Sequence, residues 1–206
     1  MSTAETVSAS LSEVVDDSAL ELVVDLRLAF GRLLAALGAN ERAEKEHLDT
    51  AELSLSQGWT ESACAALALA SHAAQARGDR ASSGRAWHQC RDAMESWPMN
   101  RPGERCGILV DAVGDPLVAV QVLSALAEIL VDGVEEDHSR APIIREIISR
   151  ASEQASRCVS PPQGAVESLA RVEERIAPYG RGRGGRRRPG STTTITTDGQ
   201  AAAGGK

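Results

Sequence analysis

At 206 residues the chain has room for one ordinary domain with a tail, or for two small domains. Hydrophobic residues make up 42% but aromatics only 2%, so a core has to be built from Ala, Leu, Val and Ile. Such a composition favours helix over strand, because Ala loses no side-chain entropy in a helix. The net charge of -7 is unevenly spread: residues 179–206 hold six basic groups against Asp198 alone (+5), and the rest holds 16 basic against 28 acidic (-12). An acidic body of this kind excludes nucleic-acid binding over its general surface, which needs clustered Lys and Arg.

Residues 1–17 are polar and acidic and are expected to be disordered. They lack the basic start and apolar run of a secretory signal. Four widely spaced cysteines (Cys64, Cys90, Cys106, Cys158) without a C-x-x-C pair fit free thiols in a reducing, cytoplasmic setting.

From Ser18 the pattern changes. Ser18-Ala19-Leu20-Glu21 has the form of a capping box. The helix it opens, to about Leu37, is apolar around most of its girth. Glu21, Asp25, Arg27 and Arg32 argue against a membrane span. A helix this apolar in a chain without membrane spans is either buried at the centre or paired with another subunit, and central burial is the first expectation.

Gly38, Gly58 and Gly78 then follow at intervals of 20 residues, and Trp97-Pro98 closes the next interval. Glycine just past a helix end adopts the left-handed conformation that satisfies the last carbonyls, and helices joined by two or three residues run antiparallel. Asn40 is placed to cap a helix over 41–56 and Thr60 one over 61–77. In the first, Glu41/Lys45 and Arg42/Glu46 define a solvent face, with Leu48, Ala51 and Leu55 opposite. In the second, Ala63, Leu67, Ala70 and Ala74 form a stripe of small residues. It faces Trp87, Cys90, Met94 and Trp97 of a helix over 80–96, across a turn at Gly78-Asp79.

Pro98, Pro102 and Gly103 predict a loop over 98–107, and Ile108–Val113 one or two helical turns. Asp115-Pro116 is a strong start signal, a capping carboxylate before proline at the first helical position. The helix over 116–132 carries one wet stripe, Gln121, Ser124, Glu128 and Asp132, on an otherwise apolar rod that is expected to be central. After an acidic loop, Pro142 opens a helix with Ile144, Ile147, Ala151, Ala155 and Cys158 inward. Pro161-Pro162 stops it, and a last helix over 163–177 turns Val166, Leu169, Val172 and Ile176 inward. Beyond Pro178, residues 179–206 lack the apolar content that offsets ordering entropy and are expected to be disordered.

The hairpin over Ala63–Met94 resembles a tetratricopeptide unit across about 35 residues, with its small and aromatic positions after Gly78-Asp79 displaced by about three residues. The resemblance implies a groove for a partner peptide. An irregular bundle with short loops accounts for the same segments.

Candidate chemistry is sparse. Cys64 and Cys90 are placed to face one another across the Gly78-Asp79 hairpin with His88 nearby, but a zinc site needs a fourth ligand or water. Glu44…His47 and Glu135…His138 repeat the Glu-x-x-His spacing of di-iron bundles. However, the first shares a charged face and the second falls in a loop, so neither points into a core. There is no G-x-S-x-G turn and no Walker-type loop. Arg181, Arg183, Arg186, Arg187 and Arg188, interleaved with glycine, are the candidate binding residues: flexible guanidinium groups pair with phosphates or carboxylates without fixed register.

The sequence therefore predicts an all-α protein, with a helical domain over 18–178. Its six to seven helices form an antiparallel bundle or short α-solenoid, followed by a basic tail. It predicts a non-enzymatic, oligomeric interaction or scaffold protein without cofactor or metal, whose arginine-rich arm contacts an anionic partner. The alternative is a bacterial or phage DNA-associated accessory protein, of a packaging or transcription-related kind, that holds phosphate through the tail.

Overall fold

The computed structural model describes residues 17–98 and 100–179. Among them the only regular structure is helical: α1 (Asp17–Ala36), α2 (Asn40–Ser56), α3 (Thr60–Ala76), α4 (Arg80–Glu95), α5 (Pro102–Val113), α6 (Pro116–Val131), α7 (Arg140–Arg157) and α8 (Gln163–Ile176), with a closing 3-10 turn Ala177–Tyr179. Residues 1–16 and 180–206 lie outside the described residues, and with them all of the two terminal segments expected to be disordered except Asp17, which opens α1, and Tyr179, which ends the 3-10 turn. No described helix is long and apolar enough to cross a membrane.

The first three turns are the same structure repeated. Gly38, Gly58 and Gly78 have φ of 76°, 73° and 82°. In each, the glycine N–H donates to the carbonyl three residues back (Ala35, Leu55, Gln75). The following N–H donates to the carbonyl five residues back (Leu34, Ser54, Ala74). This double closure satisfies the last carbonyls of each helix. It also reverses the chain in so few residues that the next helix lies back on the one before, and α1 packs on α2, α2 on α3 and α3 on α4.

The expected side-chain caps differ from those observed. Ser18 lies inside α1, and Asn40 and Thr60 are the first helical residues after Ala39 and Trp59, neither of which makes a side-chain cap. The tight glycine turn already fixes the entry of each helix. Asp79 does cap α4 by accepting from Ser82 N–H, and Asp115 caps α6 by accepting from Leu117 and Val118 N–H.

Two helices form the centre. α6 is buried from Val118 to Ala127 except at Gln121, as its apolar girth requires. Its partner at the centre is α3 rather than α1. α3 packs against α1, α2, α4, α5 and α6, and buries Ala63 through Ser71 without interruption. Alanines let five neighbours approach one rod closely.

The expectation that α1 lies at the centre is overturned. α1 is the outermost helix of the α1–α4 row and buries only Val24, Leu28, Gly31 and Leu34, while Leu22, Leu26, Phe30 and Leu33 are exposed.

The loop expected over 98–107 is also overturned in part, and it raises the number of helices to eight. α5 begins at Pro102, where proline at the first helical position removes no needed N–H. Cys106, Leu109 and Val113 sit at helical spacing and are buried, and α5 packs on α3 and α7. That burial outweighs the cost of Gly103 and Gly107 within the helix.

The wet stripe of α6 is a docking track. Ser124 Oγ donates to Ala165 O at 3.1 Å, Glu128 accepts from Ser168 Oγ, and Asp132 accepts from Arg175 Nη1 at 2.9 Å, all from α8. In α7 the inward stripe ends at Gln154, with Ala155 and Cys158 half-buried, and Val166 of α8 is 40% exposed.

Candidate functional site

α2 and α4 both lie on α3 and are held apart by its width, so an open trough of about 770 Å³ runs between them. Leu48, Ala51 and Leu55 of α2, Leu67 of α3, and Ala86 and Ala93 of α4 supply its apolar walls and floor. Ala86 and Ala93, seven residues apart on one face of α4, are too small to fill the space. Leu55, expected to be buried, is 51% exposed at the lip.

The rim is polar and of mixed charge, with Glu52 on α2 and Arg85, Gln89 and Asp92 on α4. Neither Glu52 nor Asp92 forms an ion pair with another described residue.

One end of the trough is closed by a fixed charge cluster. Arg77 Nε and Nη2 donate to Glu44 Oε2 at 2.8 and 2.6 Å, and Nη2 lies 2.9 Å from Asp79 Oδ2. The hydrogen bond to Glu44 raises the Arg77 pKa, and hydrogen bonds from Ser82 lower that of Asp79. This cluster joins α2, the end of α3 and the start of α4.

Glu44 is therefore buried and paired, and not on a solvent face as expected. Its helix is rotated from the expected setting: Ala43, His47, Thr50 and Ser54 face inward, and Leu48 and Leu55 face the trough. With His47, Thr50 and Ser54 on the buried face, Leu48 is left half-buried and Leu55 exposed. Thr50 and Ser54 satisfy their hydroxyls within the helix, on Glu46 O and Thr50 O.

A second cleft, of about 790 Å³, separates α3 and α4 from α6 and α8. Several of its polar groups are matched to one another. Ser71 Oγ donates to Ser83 O at 3.0 Å, Ser124 is bound to Ala165, and Glu128 takes Ser168 and lies 3.5 Å from Arg91. Of these contacts Arg91–Glu128 crosses the cleft and the others tie the helices of one wall together, whereas the α2/α4 trough leaves apolar surface uncovered.

The remaining sequence candidates separate. Arg181, Arg183, Arg186, Arg187 and Arg188 lie outside the described residues. Cys64 and Cys90 do meet across α3 and α4: each thiol points at the other's carbonyl, at 3.4 Å from Cys90 Sγ and 3.9 Å from Cys64 Sγ. The hydrogen bond to Cys64, with burial, pushes the Cys90 thiol well above its usual range. His88 is exposed, and no cluster of three or more His, Cys, Asp or Glu among the described residues is arranged to hold a metal.

Of the two Glu-x-x-His strings, the first is buried after all. His47 lies against α1 with Nδ1 unpartnered, its pKa lowered to about 4 by burial and by the nearby Arg32 and His72. In the second string Glu135 and His138 fall in the turn after α6, where the His138 ring lies 4.8 Å from that of Tyr179. The two strings do not converge.

Comparison with protein-family models, curated proteins and solved structures returned no match. The functional evidence for this chain is its trough, its exposed faces and its charge distribution.

Proposed function

We propose that this protein is a non-enzymatic, cytoplasmic interaction or scaffold protein, built as a short array of antiparallel helices. It holds a helical segment of a partner protein in the α2/α4 trough and engages an anionic region of that partner through its arginine-rich C-terminal residues. The observation that carries this reading is the trough itself, with an apolar floor of Leu48, Leu67, Ala86 and Ala93 beneath a rim bearing Glu52 and Asp92. An amphipathic helix docks in such a groove through apolar anchors at i, i+3 or i+4 and i+7. Glu52 and Asp92, unpaired among the described residues although Arg85 shares the rim, favour an occupant with Lys or Arg beside those anchors.

The test begins with co-purification from the native host, identification of the partner and synthesis of its amphipathic segments. The segment is then titrated against the chain and against Ala93→Arg and Leu55→Asp variants. Loss of at least about tenfold in affinity is expected, which corresponds to one well-placed contact of about 1.4 kcal/mol. Equal binding to all three proteins rejects the trough.

A second reading, a DNA-associated accessory protein, is favoured by one feature: five arginines between positions 181 and 188 beside a body of opposite charge. Duplex DNA binding by the full chain and by a chain lacking 180–206, each at two salt concentrations, tests it. Binding that depends on the tail and weakens steeply with salt supports it, and absent or tail-independent binding rejects it.

A further inference from the structure

The outer face of α1 has no partner among the described residues. Leu22, Val23, Leu26, Phe30, Leu33 and, just past the helix, Leu37 are between 40% and 73% exposed. Together they present on the order of 600 Å² of apolar surface, at the top of the range for one patch on a monomer and most of the about 800 Å² per partner in a standard interface. The last helix of a stacked array ordinarily shows a polar outer face. α1 shows the reverse.

The spacing along this face is that of a helix-pairing seam. Ala19, Leu22, Leu26, Ala29, Leu33 and Ala36 alternate at intervals of three and four, and every one is exposed. On one side the seam is flanked at intervals of seven by Val23, Phe30 and Leu37, and on the other by Asp25 and Arg32. Three heptads without a polar residue in the seam are far more than scattered surface leucines need.

We propose that α1 pairs antiparallel with α1 of a second copy of this chain, about a two-fold axis at the level of Arg27 and Leu28. In that register every seam layer is filled: Ala19 meets Ala36 of the second copy, Leu22 meets Leu33, and Leu26 meets Ala29. The apolar flank meets itself, Val23 against Phe30. The charged flank brings Asp25 beside Arg32, twice by symmetry.

Parallel pairing fails on the same residues. It would set each Asp25 against Phe30 and each Arg32 against Leu37, burying charge on apolar surface. It would also align the two helix dipoles, which antiparallel pairing opposes favourably.

The flank charges have no competing ion pair among the described residues, although Arg32 is half-buried with its guanidinium against Gly114. Asp25 is exposed, and neither Asp25 nor Arg32 forms an ion pair with another described residue. Arg32 donates one Nη1 bond to Ala112 O and retains its other N–H groups.

Light scattering of the full chain over a range of concentrations is expected to give a dimer, and Leu26→Glu with Leu33→Glu a monomer of unchanged helicity. Register is read by mixing a Leu22→Cys chain with a Leu33→Cys chain under mild oxidation. Antiparallel pairing gives a covalent dimer containing one of each, at several times the yield of either self-linked product. Dominant self-linked dimers overturn the direction. A full chain that stays monomeric throughout overturns the proposal, and so does one that becomes dimeric only when residues 1–16 are removed, since its own N-terminal segment then covers the face.

Discussion

The imidazole of His47 occupies the place beside Gly31 that a side chain would need: a β-carbon there would lie 2.3 Å from its Cε1 and 2.7 Å from Nδ1 and Nε2. Gly31 has no unusual φ, and its role is to let α2 lie close on α1. Gly31→Ala is expected to destabilise the fold by about 1–3 kcal/mol, the usual cost of overpacking a tight site. With His47→Ala in the same chain the combined loss should be smaller than the sum of the two, because each relieves the other. Urea unfolding of the four proteins measures this, and additive losses would show that the contact does not limit the approach of α1 and α2.

The same histidine makes stability depend on pH. Folded, it takes a proton only below about 4, whereas the unfolded chain takes it near 6.5. Between those values the unfolded state binds more protons, so stability is whole above pH 6.5, falls as pH drops towards 4 and levels off below. The span corresponds to about 3 kcal/mol at most. Chemical denaturation at a series of pH values should show this loss in the native chain and a flatter profile in His47→Met. Superimposable profiles would refute the assignment.

Two glycines with open space around them should respond in opposite directions. Nothing lies within 4 Å of a β-carbon on Gly58 or on Gly84, but Gly58 has a φ of 73° and Gly84 is an ordinary residue of α4. Gly58→Ala is expected to cost about 1–2 kcal/mol, the penalty of an L-residue in the left-handed region. Gly84→Ala is expected to add roughly 0.5–1 kcal/mol through lower unfolded-state entropy and better helix propensity. Thermal unfolding separates them, and a shift of the same sign for both would contradict the turn geometry.

Glu61, in the first turn of α3, is nearly buried, and its carboxylate is matched by Arg105 of α5. Removing only the cation leaves that carboxylate without its partner. Arg105→Ala is expected to cost about 1–2 kcal/mol, less than for a fully buried pair because Arg105 stays a quarter exposed. Arg105→Ala with Glu61→Gln should recover part of the loss. If the single variant unfolds at the native denaturant midpoint, the pair contributes nothing to joining α5 to α3.

Much of the architecture could be read from residues with local duties. A left-handed turn demands glycine, and Gly38, Gly58 and Gly78 marked three helix ends. Asp115-Pro116 marked a start because a capping carboxylate and a residue without N–H are both wanted there. The all-helical class followed from alanine in place of aromatics. The first half of α5 was missed because Pro102, Gly103 and Gly107 speak against helix locally, while the burial of Cys106, Leu109 and Val113 that favours it comes from α3 and α7.

Which faces are covered was a different matter. Periodicity shows that a helix has an apolar side, but not whether another element lies on it, since that depends on residues far away in the chain. α1 is more apolar than α2, yet it lies at the edge because the row of hairpins begins there, and α3 becomes central because alanines admit five neighbours. The trough arises in the same way: α2 turns His47 towards Gly31 and Glu44 towards Arg77, and that rotation brings Leu48 and Leu55 out beside α4. Turn chemistry is settled by one or two residues and was written in the sequence; the setting of each helix about its axis is settled by all its neighbours at once, and only the folded chain decided it.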